Sequence, residues 1–354
     1  CRACEQACPS GVQYGALMET TRIVLKKERP PDLIGCILHW LLLRQMLPHV
    51  GRLRFVAWWM RMYQVTGFQR LVRALNFFPR KLKNIETLLP HISKRRPDYR
   101  NVAPAIGQFQ GKVAFFYGCI QDAFLAEINA ATIRVLQRNG YEVHFPAQQT
   151  CCGAAQLHQG DDTLARGLAR KNIDTFLDDE YEAVINNAGG CGATLKEYTH
   201  LLQDDPAYAE KAERFVSRVK DINEFLMEHL HVAPQGAINA RVTYSDSCHL
   251  RHVQKVINQP RDLLRQIPGL ELIELKSPDC CCGSAGVYNI LQPDTANAVL
   301  DAKMADIAST GAEMIVITNT GCHLQLNAGV QRAGIGTRVI HLVELLDQSY
   351  KAEA

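Results

Sequence analysis

From Lys112 to Gly118 the chain reads KVAFFYG, a short, nearly continuous apolar run closed by a glycine. Similar runs return at Tyr141–Pro146, Ala183–Asn187, Arg241–Asp246, Glu271–Leu275, Met314–Asn319 and Arg338–Leu342. Runs of this length, rich in Val, Ile, Phe and Tyr, predict strands buried on both faces. Between them, Ala130–Asn139, Leu164–Leu177 and Ala296–Ile307 carry helical periodicity, and Gly140 stops the first of these. Strands alternating with helices predict an α/β fold of βαβ units with parallel sheets. In such sheets the working loops lie at the carboxyl ends of the strands.

The first hundred residues read differently. Phe68, Leu71, Val72, Leu75 and Phe78 fall on one helical face before Pro79. Pro31 suits an early helical position, and Pro48 ends the helix it begins. The apolar stretch Leu33–Leu47 contains His39 and Arg44 and is too short to span a membrane. Lys94–Gly111, with Pro97 and Pro104, reads as a linker. The predicted organisation is therefore a cysteine-rich piece at 1–21, a basic helical segment and linker at 22–105, and two α/β units at 110–235 and 240–354.

Composition adds one asymmetry. The 354-residue chain is 47% hydrophobic and has a net charge of only +3. Yet residues 22–100 hold seventeen Lys or Arg against four Asp or Glu, together with all three Trp (Trp40, Trp58, Trp59), so the remainder is acidic. Such a segment suits an anionic membrane surface, an acidic partner subunit, or packing on the chain's own acidic part. No nucleic-acid recognition motif accompanies the charge. No phosphate-cradling or dinucleotide-binding glycine motif and no hydrolytic constellation appear, so substrate chemistry is expected on another subunit.

The candidate chemistry lies in the thirteen cysteines. An odd count in a long chain argues for metal ligation more than for a disulfide framework. Cys119, Cys151-Cys152-Gly153 and Cys191 form one set, and Cys248, Cys281-Cys282-Gly283 and Cys322 form another. The gaps agree: 31 and 38 residues in the first set, 32 and 39 in the second. Four soft thiols from three strand-end loops, twice over, point to one or more iron–sulfur clusters, with zinc or inert structural cysteines as the alternatives. The glycines after each pair allow close backbone approach and N–H donation to sulfur.

At the start of the chain, Cys1-x2-Cys4-x3-Cys8-Pro9 matches the last three ligands of a ferredoxin-type run. In that run the last cysteine serves a second cluster, so Cys1 and Cys4 are assigned to one [4Fe-4S] cluster and Cys8 to another. Zinc or free thiols are the alternative here too. Because the chain opens on Cys1, the missing ligands are expected upstream. Cys36, on an apolar helix, reads as a core residue. Cys280 has Thr150 as its counterpart in the first set and reads as a spare thiol. His249, His252 and His323, beside cluster cysteines, read as surface or supporting residues.

These residues, with Ser10-Gly11-Val12 and Tyr14-Gly15, resemble the iron–sulfur subunits of glycolate oxidase (glycolate dehydrogenase) along essentially the whole chain. The resemblance implies two repeated Rossmann-like cysteine-rich (CCG) domains behind an N-terminal ferredoxin-like and helical segment. It implies electron transfer from FAD on a partner dehydrogenase subunit, which oxidises glycolate to glyoxylate, towards a quinone or other acceptor. The protein is expected to be cytoplasmic, and the membrane reading of the basic segment places residues 22–100 in peripheral contact with the inner face of the cell membrane. Iron–sulfur subunits of lactate and glycerol-3-phosphate dehydrogenases, and heterodisulfide reductase, share the architecture. In the wider family the last cysteine is followed by a fifth in C-x-x-C spacing. Thr194 and Gln325 stand there in this chain, which weakens any disulfide-reducing role and assigns no catalytic residue.

Overall fold

Each apolar run forms a parallel strand in the computed structural model, which describes residues 1–28, 32–75, 78–177 and 180–353. Pro31, expected early in a helix, lies outside the described residues. The first sheet contains β1 (Gly111–Phe116), β2 (Tyr141–His144), β3 (Ala183–Asn186) and β4 (Val219–Asp221), in the order β2-β1-β3-β4. The second contains β5 (Ala240–Tyr244), β6 (Leu270–Leu272), β7 (Met314–Ile317) and β8 (Arg338–His341), in the order β6-β5-β7-β8. The registers correspond: Val113 lies opposite Val143 and Ala183, and Val242 opposite Leu272 and Met314. β4 was not foreseen, because three residues with a lysine in the middle carry no readable apolar run.

The two sheets share one core. Val113, Phe115 and Ile185 belong to the same buried cluster as Val242, Tyr244, Leu342 and Leu345. Helix Ala126–Arg138 packs against helix Leu342–Ala352, where Arg134 reaches both carboxylate oxygens of Asp347 at 2.7 Å. Helix Ile222–His229 packs against helix Gln259–Arg265. Each unit therefore completes the other's hydrophobic interior.

Before the sheets, a helical arm comprises Ala3–Ala7, Tyr14–Glu28, Leu33–His39, a π-helical stretch Trp40–Met46, Val50–Val65, Phe68–Ala74 and Arg80–Thr87. The helix predicted through Phe78 ends at Ala74, consistent with the bias of a residue before proline against helical geometry. The arm is clamped to the first sheet by buried Leu43, Leu53 and Ala57 and by two ion-pair clusters. Arg54 meets buried Asp122 at 2.7 Å, while Lys26 and Arg44 meet buried Asp161 at 3.3 and 3.2 Å. Its other face is open: Leu33, Ile34, Trp40, Phe55, Trp58 and Trp59 are exposed. Cys36 lies on this open face, which corrects its expected core position. No single described helix is long and apolar enough to cross a membrane, although the pair Leu33–Met46 and Val50–Val65, bent by 105°, reaches that length and composition together.

One buried acid makes the fold pH-dependent. Asp221 caps helix Ile222–His229 by accepting from the Asn223 N–H at 2.9 Å, but its Oδ2 is buried without a partner. Burial pushes its carboxyl from 3.8 up to about 6. Between those values the folded chain keeps a proton that the unfolded chain has released, so this group's contribution to stability falls as pH rises. Asp221→Asn keeps the capping acceptor and removes the charge. In urea unfolding the variant should gain about 1–3 kcal/mol on the wild type between pH 4 and pH 7. Parallel pH profiles would count against this account.

Candidate functional site

Because all strands in a sheet run one way, their carboxyl ends gather three loops on one side. Cys119 opens helix Cys119–Phe124 after β1, the loop after β2 carries Cys151 and Cys152, and Cys191 lies in the first turn of helix Gly189–Lys196 after β3. The Cys119 and Cys151 sulfurs approach to 3.6 Å, and Cys152 lies close enough to shift the acidity of Cys151 and to be shifted by Cys191. In the second sheet Cys248, Cys281, Cys282 and Cys322 influence one another's acidity in the same order. The structure thus brings each predicted set of four thiols together. Cys280 is exposed and turns towards the Cys281 carbonyl.

The glycines after the pairs have φ of +90° (Gly153) and +85° (Gly283). That left-handed turn aims their N–H groups back at sulfur, 3.5 Å from Cys151 and 3.3 Å from Cys281. Within each set the acidities alternate. Hydrogen bonding to its neighbours pulls the Cys151 thiol down, and pushes Cys119 and Cys152 up with burial adding to it. Cys281 is likewise lowered, and Cys248 and Cys282 raised. His249 and His323 are held neutral by burial, at about 3 and about 4.

Sequence reasoning missed the cover over the first set. Leu53 and Ala57 of the arm pack in one cluster with Cys119, Cys151 and Cys152. The Leu43 carbonyl accepts from Gln156 at 2.9 Å and the Pro48 carbonyl from Thr150 at 2.8 Å. Only the matching of basic arm to acidic sheet could have hinted at this. The N-terminal cysteines lie apart from the first set. Cys1 and Cys4 are exposed around helix Ala3–Ala7, from which Gln6 donates to the His252 carbonyl, four residues beyond Cys248, at 3.5 Å. Cys8 is lowered by the backbone N–H groups of Val12, Ser10 and Gly11, a cradle suited to a thiolate.

The residues fit iron–sulfur chemistry. Each set is a string of soft thiols served by N–H donors, and among the described residues no three such side chains close round the point of a single ion. Soft thiols served by N–H donors suit an iron–sulfur centre. Bound there, an iron–sulfur cluster supplies reversible one-electron chemistry.

Comparison with known proteins agrees. A family model for a cysteine-rich (CCG) domain matches residues 113–196 and again 242–327. A model for the linker region of glycolate oxidase iron–sulfur subunits matches 36–89. The chain is 40% identical to the probable glycolate oxidase iron–sulfur subunit of Bacillus subtilis (strain 168), over 98% of this chain and 80% of that protein. It is 33% identical to lactate utilization protein A of Halalkalibacterium halodurans, over 67% of this chain and 96% of that protein. A crystal structure of a hypothetical protein from Helicobacter pylori shares the fold, with a TM-score of 0.52 at 9% identity; the match covers 76% of this chain and about half (53%) of that one.

The two glycine turns differ in the room they leave. A Cβ on Gly153 would sit 3.5 Å from Ala165, whereas one on Gly283 would sit 2.3 Å from the Ala296 carbonyl oxygen. Gly153→Ala should therefore cost only the left-handed backbone term, about 1–2 kcal/mol. Gly283→Ala should cost distinctly more, because helix Pro293–Thr310 must move. Thermal unfolding of the two variants checks the order, and equal losses would show that the overlap is relieved without strain.

Proposed function

We propose, for a chain that belongs to the family of glycolate oxidase iron–sulfur subunits, that it carries electrons from a reduced flavin to an acceptor and does no substrate chemistry itself. An FAD-containing partner subunit oxidises glycolate to glyoxylate. Electrons enter through [4Fe-4S] clusters of ferredoxin type, two in all, held in part by Cys1, Cys4 and Cys8. They pass by way of Cys119, Cys151, Cys152, Cys191, Cys248, Cys281, Cys282 and Cys322 to a quinone or other acceptor. The observation that carries this reading is the double gathering of thiols at strand ends, each set packed in its own apolar cluster. In this role the chain's residues bury sulfur, donate N–H to it and keep water away, the means by which a protein sets a cluster's potential. Thr194 and Gln325, in place of a fifth cysteine, leave disulfide reduction without its extra thiol.

The arm supports a location as well. Its open apolar face with three Trp, among seventeen basic residues at 22–100, suits peripheral contact with an anionic inner membrane surface on the cytoplasmic side. The whole chain should float with vesicles containing anionic lipid, and Trp58→Ser/Trp59→Ser should weaken this several-fold. Equal flotation with neutral vesicles would favour a protein partner for this face.

Iron, acid-labile sulfide and zinc, measured anaerobically with EPR on the whole chain, test the main reading. Cys4→Ser, Cys151→Ser and Cys281→Ser should each lose iron and sulfide. In the complex, Cys4→Ser should block acceptor reduction while glycolate still bleaches the flavin. Zinc without sulfide at both sets would confine electron transfer to the N-terminal cysteines. Undiminished acceptor reduction in Cys4→Ser would remove those cysteines from the path.

A further inference from the structure

The two thiol sets occupy matching places in matching folds, yet what surrounds them is not matched. Cys322 is preceded, three residues earlier, by Asn319; the corresponding residue before Cys191 is Ala188. Asn319 stands at the N-cap of helix Thr320–Ala333, where an asparagine ordinarily bonds the helix's own N–H groups, but it makes no such bond. Its Oδ1 accepts from the Gly190 N–H at 2.8 Å, and its Nδ2 donates to the Cys322 sulfur at 3.3 Å. The amide's orientation is fixed by chemistry, since a backbone N–H can only donate and must face the oxygen. Gly190 is needed for the approach: a Cβ there would sit 3.1 Å from Asn319 Oδ1. One side chain thus ties the backbone beside Cys191 to a sulfur of the other set.

A second difference lies on the helix behind each cysteine pair. Ala165 faces Gly153 and Ala296 faces Gly283. Seven residues beyond each, Asn172 answers to Lys303. Asn172 secures its loop with a neutral amide, accepting from Thr150 N–H at 2.9 Å and donating to the Cys151 carbonyl at 3.0 Å. Lys303 is buried and secures its loop through Nζ, donating to the Ser277 and Pro278 carbonyls at 2.9 Å each. Burial pulls its ammonium below the usual lysine range, and Cys280, Asp306 and Asp246 nearby work against that shift. The second set therefore has both an added N–H donor to sulfur and a buried amine beside it where the first set has a methyl group and a neutral amide.

We propose that the two centres are inequivalent, and that Asn319 and Lys303 act as positioning residues that make the Cys248/Cys281/Cys282/Cys322 centre the one reduced first. This rests on the reading above that both sets hold iron–sulfur clusters. Reduction adds one negative charge to a centre, and a nearby cation or N–H donor favours the form that carries it. With clusters bound at both sets, one electron delivered by a reduced flavin or by dithionite would be held at the Cys248/Cys281/Cys282/Cys322 set in preference to the first. The direction of flow inside the chain is set by these two side chains.

Redox titration of the whole chain, followed by EPR, tests this. The signal abolished by Cys281→Ser should be the higher-potential of the two, and the one abolished by Cys151→Ser the lower. Asn319→Asp keeps the acceptor for Gly190 and exchanges the donor to Cys322 for a negative charge, so the clamp stays and the tuning is reversed. Lys303→Asn installs the first set's own residue. Each should disfavour reduction of the second centre about tenfold, or about 59 mV for one electron, and leave the first within threefold. The Lys303 variant also keeps the test open should the Asn319 variant fail to load metal. If the Cys281-dependent signal is the lower one, or if the loaded variants shift neither, the proposal is overturned. Absence of both signals from the wild-type chain, at unchanged N-terminal cluster content, would remove the underlying reading and the proposal with it.

Discussion

Four sulfur atoms crowded into one buried loop cluster cannot all be thiolates unless something cationic lies among them. The alternation of raised and lowered acidities along Cys119, Cys151 and Cys152, repeated along Cys248, Cys281 and Cys282, expresses that conflict. Each thiol that ionises makes its neighbours harder to ionise. A metal cluster resolves this by binding every sulfur in its charged form. The rest of the architecture keeps the sulfurs together in spite of it. The parallel sheets deliver three segments to one side, the left-handed glycines turn N–H groups inward, and a separate apolar cluster packs around the cysteines of each set.

The strands and the cysteine sets were legible because both are written locally. A strand buried on two faces is a continuous apolar run, and ligands on strand ends follow such runs at fixed distances. What escaped the sequence depends on direction or on partners far along the chain. Cys36 was placed in a core because an apolar helix facing outward has the same letters as one facing inward. Leu53 and Ala57 gave no sign that they close over Cys119, since any amphipathic helix looks alike until its partner is known. Asn319 reads as an ordinary helix cap, and only the structure shows its amide spent on the other sheet's loop.

Repetition in the sequence concealed a difference between the two units. The backbones of the two units agree in strand order, register and loop placement. The side chains behind the loops do not: Asn172 and Ala188 on one side face Lys303 and Asn319 on the other. Two copies of one fold can thus present the same ligands in different electrostatic surroundings, with no change in the scaffold. The N-terminal cysteines add a third environment, exposed and close to the second set.

The shared core also bears on how the chain is made. Val113, Phe115 and helix Ala126–Arg138 leave a translating ribosome long before helix Leu342–Ala352, against which that helix packs. Until then a broad apolar face of the first unit is open to chaperones and to aggregation. The hydrogen bond from Thr320 to Gln121, two residues beyond Cys119, cannot form until that later stage either. A premature stop near residue 235 would leave a cysteine-bearing half with its own interior uncovered, a species for quality control to remove.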